Sequence, residues 1–395
     1  MTISSCDIHL EILYGSQTGC AEDVAKRISR EGWRRHFKTR VKAMDDFDPK
    51  DILNTTHVIF VCSTTGQGVE PDNMRKFWKF LLRKSLPQGI LSSLEYAVFG
   101  LGDSSYEKFN FPAKKLYRRV EQLGGSPLIS LGEGDDQHYL GLDGALDPWL
   151  KTLWQNLLQK YPLKEGYSVI PPQPSFDVKL SEYNASDNDR DSIEKQFYPG
   201  MRRMVVKENN RITSPDHFQD VRRLTFNTND DSLSWNPGDC AFLYPQNMEN
   251  NVEAFLSLMG WHPIADKELY ITASPGVDYP ARLPSRTTLR KLSTYFFDIS
   301  GVPRRSFFEM ASYFSTHEDE REKLREFASA EGQDDMHSYC TRPKRTLLEV
   351  LGDFTSIKDV PLNYIFDVFP PLRPRYFSIS SHPYVSYSII PDYNN

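Results

Sequence analysis

No apolar run in this 395-residue sequence approaches the ~18 residues that a membrane-spanning helix needs. The start, MTISSCDIHLEIL, has no charged region backed by an apolar core. The sequence therefore predicts no membrane anchor. Cysteine is scarce, with five residues (Cys6, Cys20, Cys62, Cys240 and Cys340), odd in number and scattered. They form no C-x-x-C pair and no His-rich metal spacing, which argues against a disulfide framework or a metal centre and suits the reducing cytosol. Positive charge is not in excess either. Lys and Arg number 47 against 53 Asp and Glu, a formal charge of −6, and basic clusters such as Arg202-Arg203 are short. Nucleic acid is not an expected partner, and an acidic face for a basic or redox partner fits better. Finally, there is neither the Gly-Lys-Ser/Thr of a nucleoside triphosphate loop nor the G-x-G-x-x-G of a dinucleotide fold.

What is present organises around residues 8–37, IHLEILYGSQTGCAEDVAKRISREGWRRHF. An apolar strand pattern from Ile8 to Tyr14 runs into the polar loop Gly15-Ser16-Gln17-Thr18-Gly19, and Val24, Ala25, Ile28 and Trp33 then recur at helical spacing. Such a loop gathers unpaired backbone N–H groups and the positive end of a helix dipole, with hydroxyls from Ser16 and Thr18 as further donors. Taken alone it reads equally as an ordinary turn capping a helix.

Later loops decide between these readings. The buried strand His57 to Cys62 empties into Ser63-Thr64-Thr65-Gly66-Gln67-Gly68, before a helix over about Asp72 to Arg83. The strand Tyr96 to Leu101 ends in Gly102-Asp103-Ser104-Ser105-Tyr106, before a helix over about Phe111 to Leu123. A strand over Pro127 to Leu131 is expected to feed Gly132-Glu133-Gly134-Asp135-Asp136, followed by a helix over Ala145 to Gln159. Alternating strands and helices predict a parallel sheet covered on both faces, with ligand bound outside the strands' carboxyl ends. All four loops fall on that one edge.

YGSQTGCAEDVAKRI and GLGDSSYEKFN make residues 1–162 resemble the FMN domain of the diflavin reductases, the family of cytochrome P450 reductase. The resemblance implies a flavodoxin-like α/β fold with strand order 2-1-3-4-5. It places Ser16, Gln17, Thr18, Gly19 and Cys20 at the FMN phosphate, Ser63, Thr64, Thr65, Gly66, Gln67 and Gly68 in the second loop, and Leu101, Gly102, Asp103, Ser104, Ser105, Tyr106, Phe109 and Asn110 around the isoalloxazine. Tyr106 would stack on the flavin, Asn110 would close its loop, and Asp135 with Asp136 would flank the ring's polar edge. Thr65 stands where P450 reductases carry a second stacking tyrosine, so one flavin face would be less covered. CSTTGQGVEPDNMRKFW, GLGDSSYEKFNF and GEGDDQHYLGLDGALDPWL are most similar to the cytosolic NADPH-dependent branch that supplies electrons to iron–sulfur cluster assembly. That branch implies cytoplasmic localisation and an acceptor of the anamorsin type.

Residues 163–197, with Pro171, Pro172, Pro174 and the acidic SEYNASDNDRDS, read as a flexible linker. Residues 198–395 turn to short strands and turns, including Asn236-Pro237-Gly238-Asp239 before CAFLYP, interrupted by helical patterns over about 248–364. LRPRYFSISS, with VPRRSFFE and RPKRTLLEVLGDF before it in family order, resembles the FAD motif, and the helical insert resembles the family's connecting domain. Arg375 would then pair with the FAD pyrophosphate, Tyr376 would stack on the ring beside Phe377, and Ser378 would lie near the reactive nitrogen as the catalytic residue. Past Ser381 the resemblance breaks. The expectation is an incomplete β-barrel FAD domain and no NADPH domain, so that the family's route from NADPH to FAD to FMN to an acceptor could not be completed. The alternative is a non-catalytic form that binds the acceptor and competes with a full-length enzyme.

Overall fold

The computed structural model describes residues 4–184, 196–227, 235–236, 238–379 and 387–389. In chain order the first elements are β1 (His9–Gly15), α1 (Cys20–Arg34), β2 (Lys38–Ala43), β3 (His57–Ser63), α2 (Arg75–Leu81) and β4 (Glu95–Gly102). Next come α3 (Phe111–Gln122), β5 (Ser126–Pro127), β6 (Gly132–Asp135), α4 (Asp143–Lys160) and β7 (Phe176–Asn184). The chain continues with β8 (Val205–Arg211), β9 (Arg222–Asn227), β10 (Cys240–Leu243), α5 (Glu249–Leu258), β11 (Lys267–Ala273), β12 (Arg286–Thr287) and α6 (Leu289–Tyr295). The last elements are α7 (Arg305–Ser312), α8 (Glu318–Phe327), α9 (Gln333–Met336), α10 (Leu347–Asp353), α11 (Ile365–Val368), β13 (Arg375–Ser378) and β14 (Tyr387–Ile389).

Two compact units result. The first comprises Met1–Val178, Ile271–Tyr279 and Val302–Val368; the second comprises Lys179–Tyr270, Pro280–Gly301 and Phe369–Asn395. The segment expected as one helical insert is thus shared between them.

In the first unit the sheet runs β2-β1-β3-β4-β5, all parallel, with β6 also pairing β4. β3 is apolar along its length because both of its faces are covered. On one side Ile12, Ile59 and Phe99 pack with Ala21, Ala25 and Ile28 of α1 and Leu150, Leu153 and Trp154 of α4. On the other, Leu13, Phe60 and Val98 pack with Phe77 and Leu81 of α2 and Leu116 and Val120 of α3. Register brings the strand ends level: Gly15 pairs Cys62, Ser63 pairs Leu101 and Gly102 pairs Asp135. Neighbouring strands are about 4.8 Å apart, so the loops that follow begin side by side.

Two expectations are corrected. The fifth strand is not a single run over Pro127 to Leu131 but the pair β5 and β6, and Gly132 to Asp135 is strand where a loop was expected. Glycine permits this because a Cβ at Gly132 would stand 2.7 Å from Trp149 Cδ1 and would also strike Phe99. Nor is the start of the linker a free tether. Ile170 exchanges hydrogen bonds with Arg34, N–H to O and Nε to O, both at 2.9 Å, and the Tyr364 hydroxyl donates to Pro172 O at 3.1 Å. Phe176 and Val178 alternate inward on β7, a period-two signal hidden by the acidic stretch beyond. The rest of that linker, residues 185–195, lies outside the described residues.

In the second unit β9 pairs antiparallel with β8 and β14, and β10 pairs antiparallel with β13. Phe226 is buried there among Met204, Leu224, Trp235, Ala241, Leu243 and Phe377. Arg282 lies over the rings of Tyr198 and Tyr244 and donates to the carbonyls of Phe197, Tyr295 and Leu372. Pro237 of the expected turn, and Ser380 and Ser381 of the last motif, lie outside the described residues.

Candidate functional site

The first loop is stapled by Asp72 and Asn73. Ser16 N–H donates to Asn73 Oδ1 at 2.8 Å, and Gln17 exchanges hydrogen bonds with Asp72, Nε2 to Oδ2 at 3.0 Å and Asp72 N–H to Oε1 at 3.2 Å. Within the loop, Gly19 N–H donates to Ser16 Oγ at 2.9 Å. Gly19 caps α1 at φ +94°, a left-handed conformation that glycine adopts without strain. The first-turn N–H groups of α1 have no acceptor within the helix, and the positive end of its dipole points at the loop. Thr18 and Cys20 are exposed there.

The second loop closes on itself. Thr65 and Val69 exchange backbone bonds at 3.0 Å, the Thr65 hydroxyl also donates to Val69 O at 3.0 Å, and Gly68 N–H donates to Thr65 O. Ser63 Oγ reaches back to Gly15 O at 3.3 Å. Thr64 N–H is held by Leu101 O at 2.8 Å, while its hydroxyl is buried with no partner among the described residues. Gly66 and Gln67 are exposed at the tip. Gly68, at φ +82°, packs against the Lys108 side chain of the third loop, where a Cβ would not fit.

The third and fourth loops share carboxylates. Asp103 Oδ1 accepts both Ser105 N–H and Oγ, at 2.8 and 2.6 Å, which holds its carboxyl below the ordinary range. Asp135 Oδ1 accepts Ser104 N–H at 2.9 Å and Gln137 N–H at 3.0 Å. Desolvation works to raise the Asp135 carboxyl, but these bonds together outweigh it and leave it lowered. Asp136 is raised by desolvation and by the charges of Asp103 and Asp135. Asn110, fully buried and left-handed at φ 51°, caps α3 and donates to Gly134 O at 3.0 Å. Its Oδ1 has no partner among the described residues and lies where side chains on Gly100 or Gly102 would collide with it. Leu101 is buried, and Phe109 is half-buried beneath the Lys114 ammonium. Tyr106 is 58% exposed and stacks on no ring among the described residues.

β13 carries the second candidate site. Cross-strand partners point to the same face, and Tyr376 faces Phe242 while Ser378 faces Cys240. The Tyr376 and Phe242 rings meet at 4.4 Å, T-shaped, yet are 49% and 56% exposed. Phe377 turns the other way, into the apolar cluster around Phe226. Arg375 is exposed, with Nη1 donating to Arg373 O at 3.4 Å. Phe242 and Cys240 were not singled out from the sequence. The alternation of CAFLYP was their only signal, and register against β13 was needed to use it.

Residues 12–149 match the family model described as flavodoxin, and residues 199–390 match one described as FAD binding domain. The chain is 43% identical over 391 residues to NADPH-dependent diflavin oxidoreductase 1 of Xenopus laevis, covering 94% of this chain and 65% of that protein. This is a homologue of the diflavin oxidoreductases. The Bos taurus protein of the same name is 44% identical over 389 residues, and that of Schizosaccharomyces pombe 40% over 379, each covering 94% of this chain and 64% of the relative. The chain thus spans about 65% of the length of these relatives.

In this diflavin oxidoreductase homologue the flavodoxin domain accounts for FMN and the FAD binding domain for FAD. The residues fit those groups. A glycine-closed loop at a helix start suits a phosphate, the orphaned Thr64 hydroxyl lies on the same sheet edge, and the uncovered Tyr106 ring is free to stack on a flat heterocycle. On β13, Arg375 supplies a cation and Tyr376 with Phe242 an open aromatic face.

Proposed function

We propose that the chain works as an electron-transfer flavoprotein of the cytosol, on a route from NADPH through FAD and FMN to an acceptor protein. The carrying observation is the order of the two flavin-type domains on one chain, 43% identical over 391 residues to a protein named for NADPH-dependent diflavin oxidoreduction. When bound, FMN and FAD supply the redox chemistry. The protein's part is to bind and orient them. Ser16, Thr18 and Gly19 with the start of α1 hold the FMN phosphate, Tyr106 covers one face of its ring, and Asp103 and Asp135 keep the third loop in shape. Thr65, bonded to Val69, offers no aromatic face on the other side. Arg375 offsets the pyrophosphate charge of FAD, and Tyr376 packs on its ring.

The acceptor proposed is an iron–sulfur assembly protein of the anamorsin type. The support is the resemblance of the second, third and fourth loops to that branch. No helix among the described residues is long and apolar enough to cross a membrane.

Release and chromatographic counting of the flavins tests the first part. FMN and FAD near one each are expected, and a folded, colourless chain that refuses added FMN would overturn the proposal. For the acceptor, the chain is reduced chemically, freed of reductant and mixed with an oxidised anamorsin-type protein. Bleaching of the iron–sulfur absorption is expected, and an unchanged spectrum would reject that acceptor.

A further inference from the structure

Charged side chains gather within the first unit where α7 meets α1, and nearly all the arginines there are neutralised. Arg27 pairs with Asp147 at 2.8 Å and with Asp143 and Glu31 at 3.3 Å. Arg30 pairs with Glu309 at 3.7 Å. Arg305 pairs with Asp143 and, at 3.0 Å, with Asp147. Arg304 differs: it has no carboxylate partner among the described residues. Its guanidinium donates from Nη2 to the Thr18 carbonyl, in the first loop, at 2.8 Å.

The neighbours of Arg304 fix where it stands. Pro303 before it is buried, Arg305 after it is locked into the two aspartates, and Ser306 Oγ donates to Asp23 of α1 at 2.7 Å. The peptide it grips is held at both ends. Arg304 takes the Thr18 carbonyl from outside the loop, and Ser16 takes the Gly19 N–H from within it.

We propose that Arg304, remote in sequence from the flavodoxin domain, is a positioning residue for the phosphate of FMN. It clamps the Thr18–Gly19 peptide in the conformation that presents the loop's N–H groups. It also brings an uncompensated positive charge beside the place where a phosphate dianion sits. The inference rests on the FMN reading of the first loop. Its consequence is specific to the phosphate, because a flavin without one gains nothing from either effect. By linkage, phosphate in the loop favours the contact between Arg304 and Thr18 to the same degree.

Riboflavin, which carries the ring without the phosphate, separates this role from a general effect on folding. The full-length chain, stripped of flavin, is titrated with FMN and with riboflavin, followed by quenching of flavin fluorescence, for the natural protein and Arg304→Ala, Arg304→Gln and Arg304→Lys. Loss of one charge-assisted hydrogen bond at a half-exposed site should weaken FMN binding about fivefold to tenfold in Arg304→Ala. Riboflavin affinity should stay within twofold. Arg304→Lys should recover part of the loss, and the salt dependence of FMN binding should be shallower in Arg304→Ala and Arg304→Gln. Equal losses for both flavins, or FMN affinity unchanged in all three variants, would overturn the proposal. If Arg304→Ala does not fold, Arg304→Gln carries the same comparison. A natural chain that binds neither flavin would instead overturn the FMN reading itself.

Discussion

Asp135 grips the third loop from the fourth: one carboxylate oxygen accepts the N–H of Ser104 at 2.9 Å and that of Gln137 at 3.0 Å. Tyr106 follows two residues after Ser104, so the placement of its ring depends on a carboxylate that lies 31 positions beyond Ser104 in sequence. Asp135→Asn and Asp135→Ala should both weaken FMN binding severalfold, the second more, measured by fluorescence titration at neutral pH. The pH dependence has a definite sign. The folded carboxyl titrates below its unfolded value, so its contribution is fully present above the ordinary carboxylate pKa of about 3.9. It is lost as pH falls through the lower folded value. FMN affinity should therefore be insensitive to this group between about pH 5 and 8.

Tyr106 is the test of how much the ring face matters. It is 58% exposed without FMN, so its removal leaves the core untouched. Tyr106→Ala should cost about 1 kcal/mol of FMN binding through lost stacking, with chemical denaturation of the flavin-free protein unchanged. Tyr106→Phe should retain most of the affinity. Equal FMN affinity in Tyr106→Ala would show that the ring lies off the flavin.

How far the fold was legible depended on where each element draws its stability. β3 could be read directly, because a central parallel strand covered on both faces must be a continuous apolar run such as HVIFVC. The polar, glycine-rich segments after β1, β3 and β4 could be read as site loops because each follows such a run. β6 could not. Gly-Glu-Gly-Asp has little strand propensity, and it pairs with β4 because Gly132 and Gly134 let the chain lie against Phe99 and Trp149. Residues that brace the first loop, Asn73 and Asp72, sit 57 and 55 positions from their partners, and nothing local marks them. Arg304 is the extreme case, 286 positions from Thr18.

Two glycine substitutions should have opposite effects. At Gly132 a Cβ would meet Trp149 Cδ1 at 2.7 Å, and Trp149 is fixed by Nε1–H donation to Ser130 O at 3.0 Å. Gly132→Ala should therefore lose about 1–3 kcal/mol in urea unfolding. Gly352 lies inside α10 with ordinary φ, and beyond its own helix nothing among the described residues lies within 4 Å of a new Cβ. Gly352→Ala should gain up to about 1 kcal/mol, from helix propensity and a less free unfolded chain. A neutral Gly132→Ala would mean that the fifth strand can shift away from Trp149.

The two flavin sites should fail independently, because the residues assigned to FAD are held by different elements from those assigned to FMN. Tyr376 and Phe242 lie opposite each other on β13 and β10 and share an exposed face, whereas Phe377 points into the cluster around Phe226. Tyr376→Ala and Phe242→Ala remove ring area from that face without opening a cavity, and should lower the FAD recovered with the purified protein while FMN stays near one per chain. Phe377→Ala attacks the apolar cluster instead. It should cost about 3 kcal/mol of stability in the second unit and lose FAD only as a consequence, so its FAD content should recover on cooling or in stabilising osmolyte. The Tyr376→Ala loss should not. If Tyr376→Ala keeps its FAD while Phe242→Ala does not, the ring that covers the flavin is the one on β10, and the FAD motif contributes charge through Arg375 alone.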